Sequence, residues 1–369
     1  MPSTIHRRSL LKLTSILAAG IALPSKSVLA NTKHAIRFAE GPIRLTSNEN
    51  PYGPSLMARQ AMAEAIVQSN RYPWDVTTKL REKLGALHGL SKDHILMGAG
   101  SSEILGLTAQ LAALNKGNAI TADPAFSIWI PAAEKLGLTI IKVPLTEDKR
   151  HNLPAMLSQL KDDTCLFYIC NPNNPTGTTL PSDTVKNAAE EASKKALVII
   201  DEAYLEYSNE PSLASLVNNN KNIVIAKTFS KIYGLAGARI GYAIAHPDTI
   251  QKLAGLQPWV NAGASAVSLA AALASLEDKA FIQSSKEKNT EANHFTQKEL
   301  TSLGLKVIPS QTNFIYYSLG DYKGDWQEAL RSKNILTGRI AEANGQWTRT
   351  TIGTMTEMRQ FISAVKTTI

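Results

Sequence analysis

The chain has 369 residues, of which 44% are hydrophobic and 19% are charged, and its formal net charge is +8. This length favours two domains or one large domain with an appendage, and the composition excludes a disordered chain, a collagen-like fibre and a coiled coil. The two cysteines, Cys165 and Cys170, are too few for a disulfide scaffold or a cysteine-rich zinc module, so we expect two small core residues and no metal site.

The first thirty residues carry half of the net positive charge, because they contain four basic residues and no acidic ones. A basic start, an apolar stretch over residues 13–23 and small residues up to Ala30 are typical of a secretory signal peptide. The pair Arg7-Arg8 resembles a twin-arginine signal, through which bacteria export folded proteins. We therefore expect recognition by the twin-arginine export machinery, cleavage after Ala30 and a periplasmic protein. The alternative is a retained segment on a cytoplasmic protein.

The rest of the chain carries no charge run or second apolar stretch of note. The remaining charge of +4 is ordinary for this length, and no basic helix stands out, so we expect no nucleic-acid partner. No other stretch reaches eighteen apolar residues, so we expect no stable membrane insertion after processing.

The body of the chain alternates two kinds of segment. Short apolar runs bounded by Gly, Pro, Asn or charged residues predict buried strands. They are residues 166–169, 196–200 and 223–226. Amphipathic stretches of helical period predict helices. They are residues 55–69, 74–88, 102–114 and 183–195. Strands that alternate with helices favour an α/β fold in which a parallel sheet is covered on both faces.

A second region begins near residue 270. A long helical stretch over residues 270–303 precedes mixed segments that suggest a smaller α+β domain. The mixed segments are residues 306–308, 313–317 and 348–352. These features divide the chain into four parts. They are the signal peptide at 1–30, an N-terminal arm with part of the small domain at 31–70, a large domain at 71–265 and a small C-terminal domain at 266–369.

Lys231 follows the predicted strand at 223–226, where open α/β sheets bind ligands. A lysine whose pKa is lowered by burial or a nearby cation can form a Schiff base. Thr228, Ser230 and Arg239 would supply hydroxyls and a guanidinium for a phosphate. The alternative is a surface loop in which the lysine is only solvated.

Two further strand ends carry polar residues. Asp201 ends the apolar run at 196–200, and a single acid there is often a helix N-cap. If a pyridine ring is bound, Asp201 would keep its nitrogen protonated and Tyr204 could donate to its phenolic oxygen. The run NPNNPTG at residues 171–177 follows another strand, and a turn alone would explain its composition.

Eight motifs stand in one order over roughly residues 40–365. They are LTSNENPYG at 45–53, RYP at 71–73, GAGSSE at 98–103, NPNNPTG at 171–177, DEAY at 201–204, TFSK at 228–231, NF at 313–314 and RTTIGT at 349–354. In these motifs the chain resembles the fold-type I, pyridoxal-phosphate-dependent aminotransferases of class I/II, most closely the histidinol-phosphate aminotransferase branch. The resemblance implies a large domain with a mostly parallel seven-stranded sheet covered by helices, and a smaller α+β domain.

The resemblance implies pyridoxal 5'-phosphate as cofactor and Lys231, Asp201 and Tyr204 as catalytic residues. Lys231 would form the internal aldimine and then move the proton between substrate and cofactor. Asp201 would pair with the pyridine nitrogen, while Asn174 and Tyr204 would hold the phenolic oxygen.

The resemblance also implies a phosphate site. Ser101 and Ser102 would present backbone amides at a helix N-terminus. Thr228, Ser230 and Arg239 would complete this site.

The remaining roles implied by the resemblance concern the ring, the substrate and the assembly. Phe126 would stack on the cofactor ring. Tyr72 would reach the phosphate from the neighbouring subunit, so the resemblance implies a homodimer. Arg349 would bind the substrate α-carboxylate, with Tyr52 and Arg339 as further substrate-binding residues.

The implied reaction is transamination between an amino donor and a 2-oxo acid such as 2-oxoglutarate. The donor would be an amino acid or an amino-alcohol phosphate of the histidinol-phosphate or aromatic type. A decarboxylase or lyase of the same fold, acting on an amino acid or amino acid phosphate, shares every motif and stays open. A non-catalytic, regulatory use of the fold would predict loss of Lys231, Asp201 or Arg239, and all three are present.

Overall fold

The computed structural model describes residues 41–338, 342 and 346–369, which contain twelve strands and eleven α-helices. The strands are β1 (Ile43–Leu45), β2 (Ile95–Gly98), β3 (Gly117–Asp123), β4 (Leu138–Pro144), β5 (Thr164–Cys170), β6 (Leu197–Asp201), β7 (Ile223–Thr228), β8 (Gly241–Ala245), β9 (Val307–Ile308), β10 (Phe314–Ser318), β11 (Ile335–Thr337) and β12 (Trp347–Thr351). The helices are α1 (Leu56–Ala65), α2 (Trp74–Leu87), α3 (Ser101–Ala113), α4 (Ile130–Lys135), α5 (Leu153–Leu157), α6 (Ser182–Ala192), α7 (Pro247–Ala254), α8 (Ala266–Glu277), α9 (Lys279–Ser302), α10 (Trp326–Arg331) and α11 (Met355–Lys366).

Seven strands form the central sheet, in the order β2-β8-β7-β6-β5-β3-β4. Every neighbouring pair is parallel except the two pairs that β8 makes, with β2 and with β7. The predicted fold class, with its mostly parallel seven-stranded sheet, is confirmed. The carboxyl ends of β5, β6 and β7 therefore lie side by side at one edge.

The middle strands of the central sheet, β5 to β8, are buried on both faces. Strand β7 illustrates this, since Ile223 and Ile225 belong to one hydrophobic cluster while Val224 and Ala226 belong to another. Successive side chains of a strand point to opposite faces, so the two clusters lie on the two sides of the sheet. A strand covered on both sides needs apolar residues at every position, which explains the continuous apolar runs in the sequence.

The helices at the four predicted stretches are present as α1, α2, α3 and α6. The long helical stretch after residue 270 is divided into α8 and α9 at Asp278. The Asp278 carboxylate accepts a hydrogen bond from the Phe281 amide at 3.1 Å and so caps the start of α9. This cap begins a second helix, rich in polar and charged residues, directly after the apolar α8.

Two smaller sheets accompany the C-terminal helices. Strands β9, β10 and β12 form an antiparallel sheet in the order β12-β10-β9, and β1 pairs in parallel with β11. A hydrophobic cluster joins this layer to α9 and α11, with Ile315, Tyr317, Leu300 and Phe361 among its buried members. Residues Pro42–Ile369 form one compact unit, and the domain boundaries after residues 70 and 265 stay predictions.

Several predictions fall outside the described residues. These are the signal peptide with its cleavage site after Ala30, the first part of the N-terminal arm, and Arg339. Among the residues that the structure does describe, no helix is both long and apolar enough to cross a membrane. Cys165 and Cys170 are buried free thiols, as expected for small core residues.

Candidate active site

A cavity of about 380 Å³ opens beyond the carboxyl ends of β5, β6 and β7. Eleven residues singled out from the sequence line it. They are Ser101, Ser102, Phe126, Asn174, Asp201, Tyr204, Thr228, Ser230, Lys231, Arg239 and Arg349. Ligands of open α/β sheets bind at such an edge, so this cavity is the candidate active site.

One end of the cavity is built to hold an anion. Helix α3 begins at Ser101, and the backbone amides of a first helical turn have no partner within the helix. The Arg239 guanidinium lies beside this turn, where its Nη2 donates to the Ser102 hydroxyl at 3.1 Å and to the Ala99 carbonyl at 3.0 Å. Amides, a hydroxyl and a fixed positive charge therefore converge, which is the donor set of a phosphate site.

Two glycines allow this close approach. Gly100 has a φ of +87°, and a Cβ there would lie 2.6 Å from Arg239 Nη2. A Cβ at Gly241 would lie 2.6 Å from the Ser101 nitrogen. Any side chain at either position would push the strand, the helix start and the guanidinium apart.

The turn after β7 contributes two more hydroxyls to the same end. Thr228 Oγ1 donates to Ser230 Oγ at 2.9 Å, and the Ser230 amide donates to Thr228 Oγ1 at 3.1 Å. These bonds hold both side chains on the cavity side of the turn that leads to Lys231.

Asp201 supplies a buried carboxyl group at the end of β6. Burial raises the pKa of this carboxyl to about 6, while hydrogen bonds that favour its charged form act in the opposite direction. The Ala203 amide donates to Oδ1 and the Tyr168 hydroxyl donates to Oδ2, both at 3.1 Å. A positively charged group in the cavity would be stabilised by this carboxylate.

Lys231 Nζ lies in the same cavity, 3.2 Å from the carbonyl oxygen of Ser47. Burial and then the positive charge of Arg349 lower the pKa of this amine to about 8, although Glu49 and Asp201 oppose the shift. At pH 7 an amine with such a pKa is about one-tenth neutral, a far larger nucleophilic fraction than an ordinary lysine has.

Arg349 connects the small sheet to the turn after β5. Its Nη1 donates to Asn174 Oδ1 at 2.6 Å and its Nη2 donates to the Thr46 carbonyl at 2.7 Å. Its Nε is buried and has no partner among the described residues. Burial lowers the pKa of the guanidinium, but arginine keeps its charge in proteins. This arginine is therefore a cation with donor capacity left for a small anion.

The N-terminal segment also lines the cavity, which the sequence did not predict. Thr46, Ser47, Asn48 and Glu49 all contact the space, together with Ile128 from the β3–α4 connection. The segment lies within the LTSNENPYG motif, which indicated the family but did not predict a role for these four residues. Ile128 had no signal of its own.

Two predicted site residues do not line this cavity. Tyr52 lies against Lys288, whose Nζ is 4.9 Å from the centre of its ring. Tyr72 is 65% exposed and packs against Trp74 and Trp259 at centroid distances of 5.5 and 4.7 Å. The roles of Tyr52 as a substrate contact and of Tyr72 across a subunit boundary therefore both stay predictions.

Comparison with known proteins gives one family. The family model for aminotransferase class I and II matches residues 40–365. A histidinol-phosphate aminotransferase of Moorella thermoacetica is 37% identical over 88% of this chain and 84% of its own length. A solved Erwinia carotovora atroseptica protein, provisionally assigned as a histidinol-phosphate aminotransferase, has a TM-score of 0.84 and 32% identity, over 88% of this chain and 95% of that one. The Sinorhizobium meliloti histidinol-phosphate aminotransferase, solved with pyridoxal-5'-phosphate, has a TM-score of 0.80 and 25% identity, over 89% of this chain and 90% of that one.

The fold and the comparisons define a transferase that uses a phosphate-bearing cofactor. More closely, the chain belongs to the class I and II aminotransferases. It is a pyridoxal-phosphate-dependent transferase, and the predicted family, enzyme class and cofactor are confirmed.

The residues of this cavity fit that cofactor. The first turn of α3 and Arg239 suit its phosphate, Asp201 suits a protonated ring nitrogen, and Lys231 suits its aldehyde carbon. The half-buried Phe126 supplies an aromatic face. Within the described part of the chain, no group of three or more His, Cys, Asp or Glu side chains could hold a metal ion.

Proposed function

We propose that this aminotransferase moves the amino group of an amino acid or amino-alcohol phosphate, of the histidinol-phosphate or aromatic type, to a 2-oxo acid such as 2-oxoglutarate. One observation carries the proposal. The Lys231 amine, the Asp201 carboxyl group and the guanidinium groups of Arg239 and Arg349 line a single cavity. The relative from Moorella thermoacetica is a histidinol-phosphate aminotransferase, which supports the donor class.

Lys231 is the proposed point of covalent attachment of the cofactor and the proposed acid/base that moves the substrate proton. When bound, pyridoxal phosphate supplies an electron-withdrawing ring that stabilises negative charge on the substrate α-carbon. Lys231 Nζ would take the proton from the substrate α-carbon and give it to the carbon of the cofactor that carries the amino nitrogen, which requires an amine that is not permanently protonated. The pKa of about 8 meets this requirement.

Asp201 and Arg349 would act on different groups, Asp201 on the cofactor ring and Arg349 on a carboxylate of the substrate. The Asp201 carboxylate holds the proton on the ring nitrogen, because a buried anion favours the positively charged ring. Arg349 would bind the α-carboxylate of a donor or acceptor and so orient that molecule in the cavity that Lys231 also lines. The buried, unpartnered Arg349 Nε is consistent with an anion at that position.

A donor panel tests the reaction. The purified enzyme is given single amino donors, histidinol phosphate and aromatic amino acids among them, with 2-oxoglutarate or pyruvate. We expect the carbonyl product of the donor and a new amino acid in equal amounts. An amine with carbon dioxide, and no new amino acid, would instead establish the decarboxylase alternative.

Borohydride reduction followed by peptide mapping tests the attachment point. We expect the pyridoxyl group on Lys231 and none in the Lys231→Ala variant. Lys227, which is buried in an ion pair on the same segment, is the internal control. A label on Lys227 or elsewhere would overturn the assignment of Lys231.

We also propose a homodimer in which Tyr72 serves the partner's site. The exposed rings of Tyr72, Trp74 and Trp259 support a contact surface, since exposed aromatic clusters often mark interfaces. Co-expression of Tyr72→Phe chains with Lys231→Ala chains forms mixed dimers with one site free of both changes. Activity above that of either variant alone supports the proposal, and no recovery in purified mixed dimers contradicts it.

We finally propose that the enzyme is exported through the twin-arginine route. The Arg7-Arg8 pair and the apolar stretch support this, and export after folding would retain a cofactor bound in the cytoplasm. Cell fractionation with N-terminal sequencing should find a periplasmic protein that begins at Asn31. A cytoplasmic protein that keeps residues 3–30 would contradict export. Efficient export after changing both arginines to lysine would contradict the twin-arginine route but not export itself.

A further inference from the structure

The hydroxyl group of Tyr204 receives two amide hydrogen bonds. Asn48 Nδ2 lies 3.0 Å and Asn174 Nδ2 lies 3.3 Å from the Tyr204 oxygen, and all three residues are buried. A tyrosine hydroxyl has one proton and two acceptor lone pairs. If both amides donate, the acceptor positions are filled and the proton of Tyr204 must point elsewhere.

The direction of the Asn174 amide is determined by Arg349. A guanidinium has donors only, so the Asn174 atom that lies 2.6 Å from Arg349 Nη1 must be the oxygen. The Asn174 nitrogen is then the atom that faces Tyr204, and it can only donate.

The direction of the Asn48 amide is determined by Thr351 through a closed pair of hydrogen bonds. The Asn48 backbone N–H donates to Thr351 Oγ1 at 2.9 Å, so this hydroxyl is an acceptor in that bond and has its own proton to give. It donates that proton to Asn48 Oδ1 at 3.2 Å. With its oxygen engaged by Thr351, Asn48 turns its Nδ2 toward Tyr204.

The backbone holds Asn48 in this orientation. Its φ is +53°, a left-handed conformation that asparagine tolerates better than most residues. The side chain of Asn313 donates to the Asn48 carbonyl at 2.9 Å. Asn48 is 1% exposed, so water does not compete for its amide.

We propose that Asn48 and Thr351 are positioning residues that make Tyr204 a donor into the cavity. Thr351 sets the Asn48 amide, Arg349 sets the Asn174 amide, and both amides donate to the Tyr204 oxygen. Because Tyr204 lines the cavity, the remaining hydroxyl proton is directed into it. The inference rests on the proposed function, in which Tyr204 donates to the phenolic oxygen of the cofactor.

The test is an absorbance titration of the holoenzyme chromophore against pH. A donor to the phenolic oxygen stabilises the charge that remains there after the neighbouring nitrogen loses its proton, and so lowers the chromophore pKa. Tyr204→Phe removes the donor, and the rise in chromophore pKa that it causes is the reference against which the other variants are compared. Thr351→Val removes the hydroxyl that holds the Asn48 side-chain oxygen, so the Asn48 amide is free to turn that oxygen toward Tyr204. The Tyr204 hydroxyl would then donate its proton to Asn48 and not into the cavity.

We expect Thr351→Val to raise the chromophore pKa by at least half the shift of Tyr204→Phe. Asn48→Gly, which accepts the positive φ, should raise it in the same direction. Thr351→Ser keeps the hydroxyl and should match the wild type. None of these changes alters a charge, so Arg349, Asp201, Cys170 and Lys231, which face Tyr204, act equally in all of them.

A purely structural role gives a different result. If Asn48 and Thr351 only stabilise the fold, Thr351→Val and Asn48→Gly would have lower melting temperatures and the wild-type chromophore pKa. That outcome overturns the proposal. An unchanged pKa in Tyr204→Phe overturns it as well. Failure of the proposed function is distinguishable, because it appears in the wild type as a missing label on Lys231 or a missing amino acid product.

Discussion

The ammonium group of Lys227 lies 3.1 Å from the Glu202 carboxylate, and both side chains are almost fully buried. Glu206 lies 2.9 Å from the same ammonium. Burial acts to lower the pKa of Lys227, but Glu206 and Glu202 outweigh it and hold that pKa well above its ordinary value. Glu202 directly follows Asp201, and Lys227 directly precedes Thr228, so the ion pair joins the two strand ends that carry the active site.

Replacing Lys227 by methionine should destabilise the enzyme strongly. It would leave buried carboxylates without their cation, which costs about 3–5 kcal/mol when one partner of such a pair is removed. Urea denaturation of the holoenzyme measures the loss. The double variant Lys227→Met/Glu202→Gln should recover part of it, and a double variant as unstable as the sum of the single changes would contradict the coupling.

Replacing Asp201 by asparagine should keep cofactor binding and reduce turnover. The amide cannot hold the ring nitrogen protonated, and loss of one such electrostatic partner lowers kcat by about 10²–10³-fold. Steady-state kinetics with a saturated cofactor measures this. Tyr168→Phe is the matched control, since it removes one hydrogen bond to the carboxylate and keeps the charge. Near-normal turnover in Asp201→Asn would show that Asp201 does not perform this role.

Cofactor capture by the apoenzyme should depend on the pKa of Lys231. Only the neutral amine attacks an aldehyde, and its fraction rises with pH up to the pKa. The capture rate should therefore rise about tenfold per pH unit below pH 8 and level off above it, following the pKa of about 8. Stopped-flow absorbance measures the rate. A rate that still rises steeply above pH 9 would mean that the amine is not perturbed.

His151 should make the fold sensitive to acid. Burial lowers the pKa of His151 from 6.5 to about 4, although its hydrogen bond to Asn173 opposes this. Below pH 6.5 the unfolded chain binds a proton that the folded chain does not, so the stability present above pH 6.5 falls as the pH drops toward 4. The shift corresponds to a loss of roughly 3 kcal/mol.

The variant His151→Gln tests this acid sensitivity. Glutamine can donate to the Asn173 side chain and does not titrate in this range. Urea denaturation at pH 7 and pH 4.5 should therefore show a smaller loss of stability on acidification in the variant than in the wild type. An equal loss in both proteins would assign the acid sensitivity to other groups, such as His88, whose pKa is also lowered to about 4.

Much of the fold and site could be predicted from the sequence by itself. The central strands are buried on both faces, so each is a continuous apolar run whose end is marked by the first polar residues. Asn174, Asp201 and Lys231 follow three such runs, and adjacent parallel strands bring their carboxyl ends to one edge. Local sequence was sufficient for these residues because strand, end and side chain are neighbours in the chain.

Only the tertiary structure decided that Asn48 contacts Thr351 and that Arg349 contacts Asn174. Asn48 and Thr351 are 303 residues apart, and neither has a local pattern that predicts the other. A hydrogen bond between side chains depends on which groups folding brings within about 3 Å, and its direction depends on what else each group contacts. The sequence therefore determined which residues reach the edge of the sheet, while the packing of distant segments determined which way the Tyr204 hydroxyl donates.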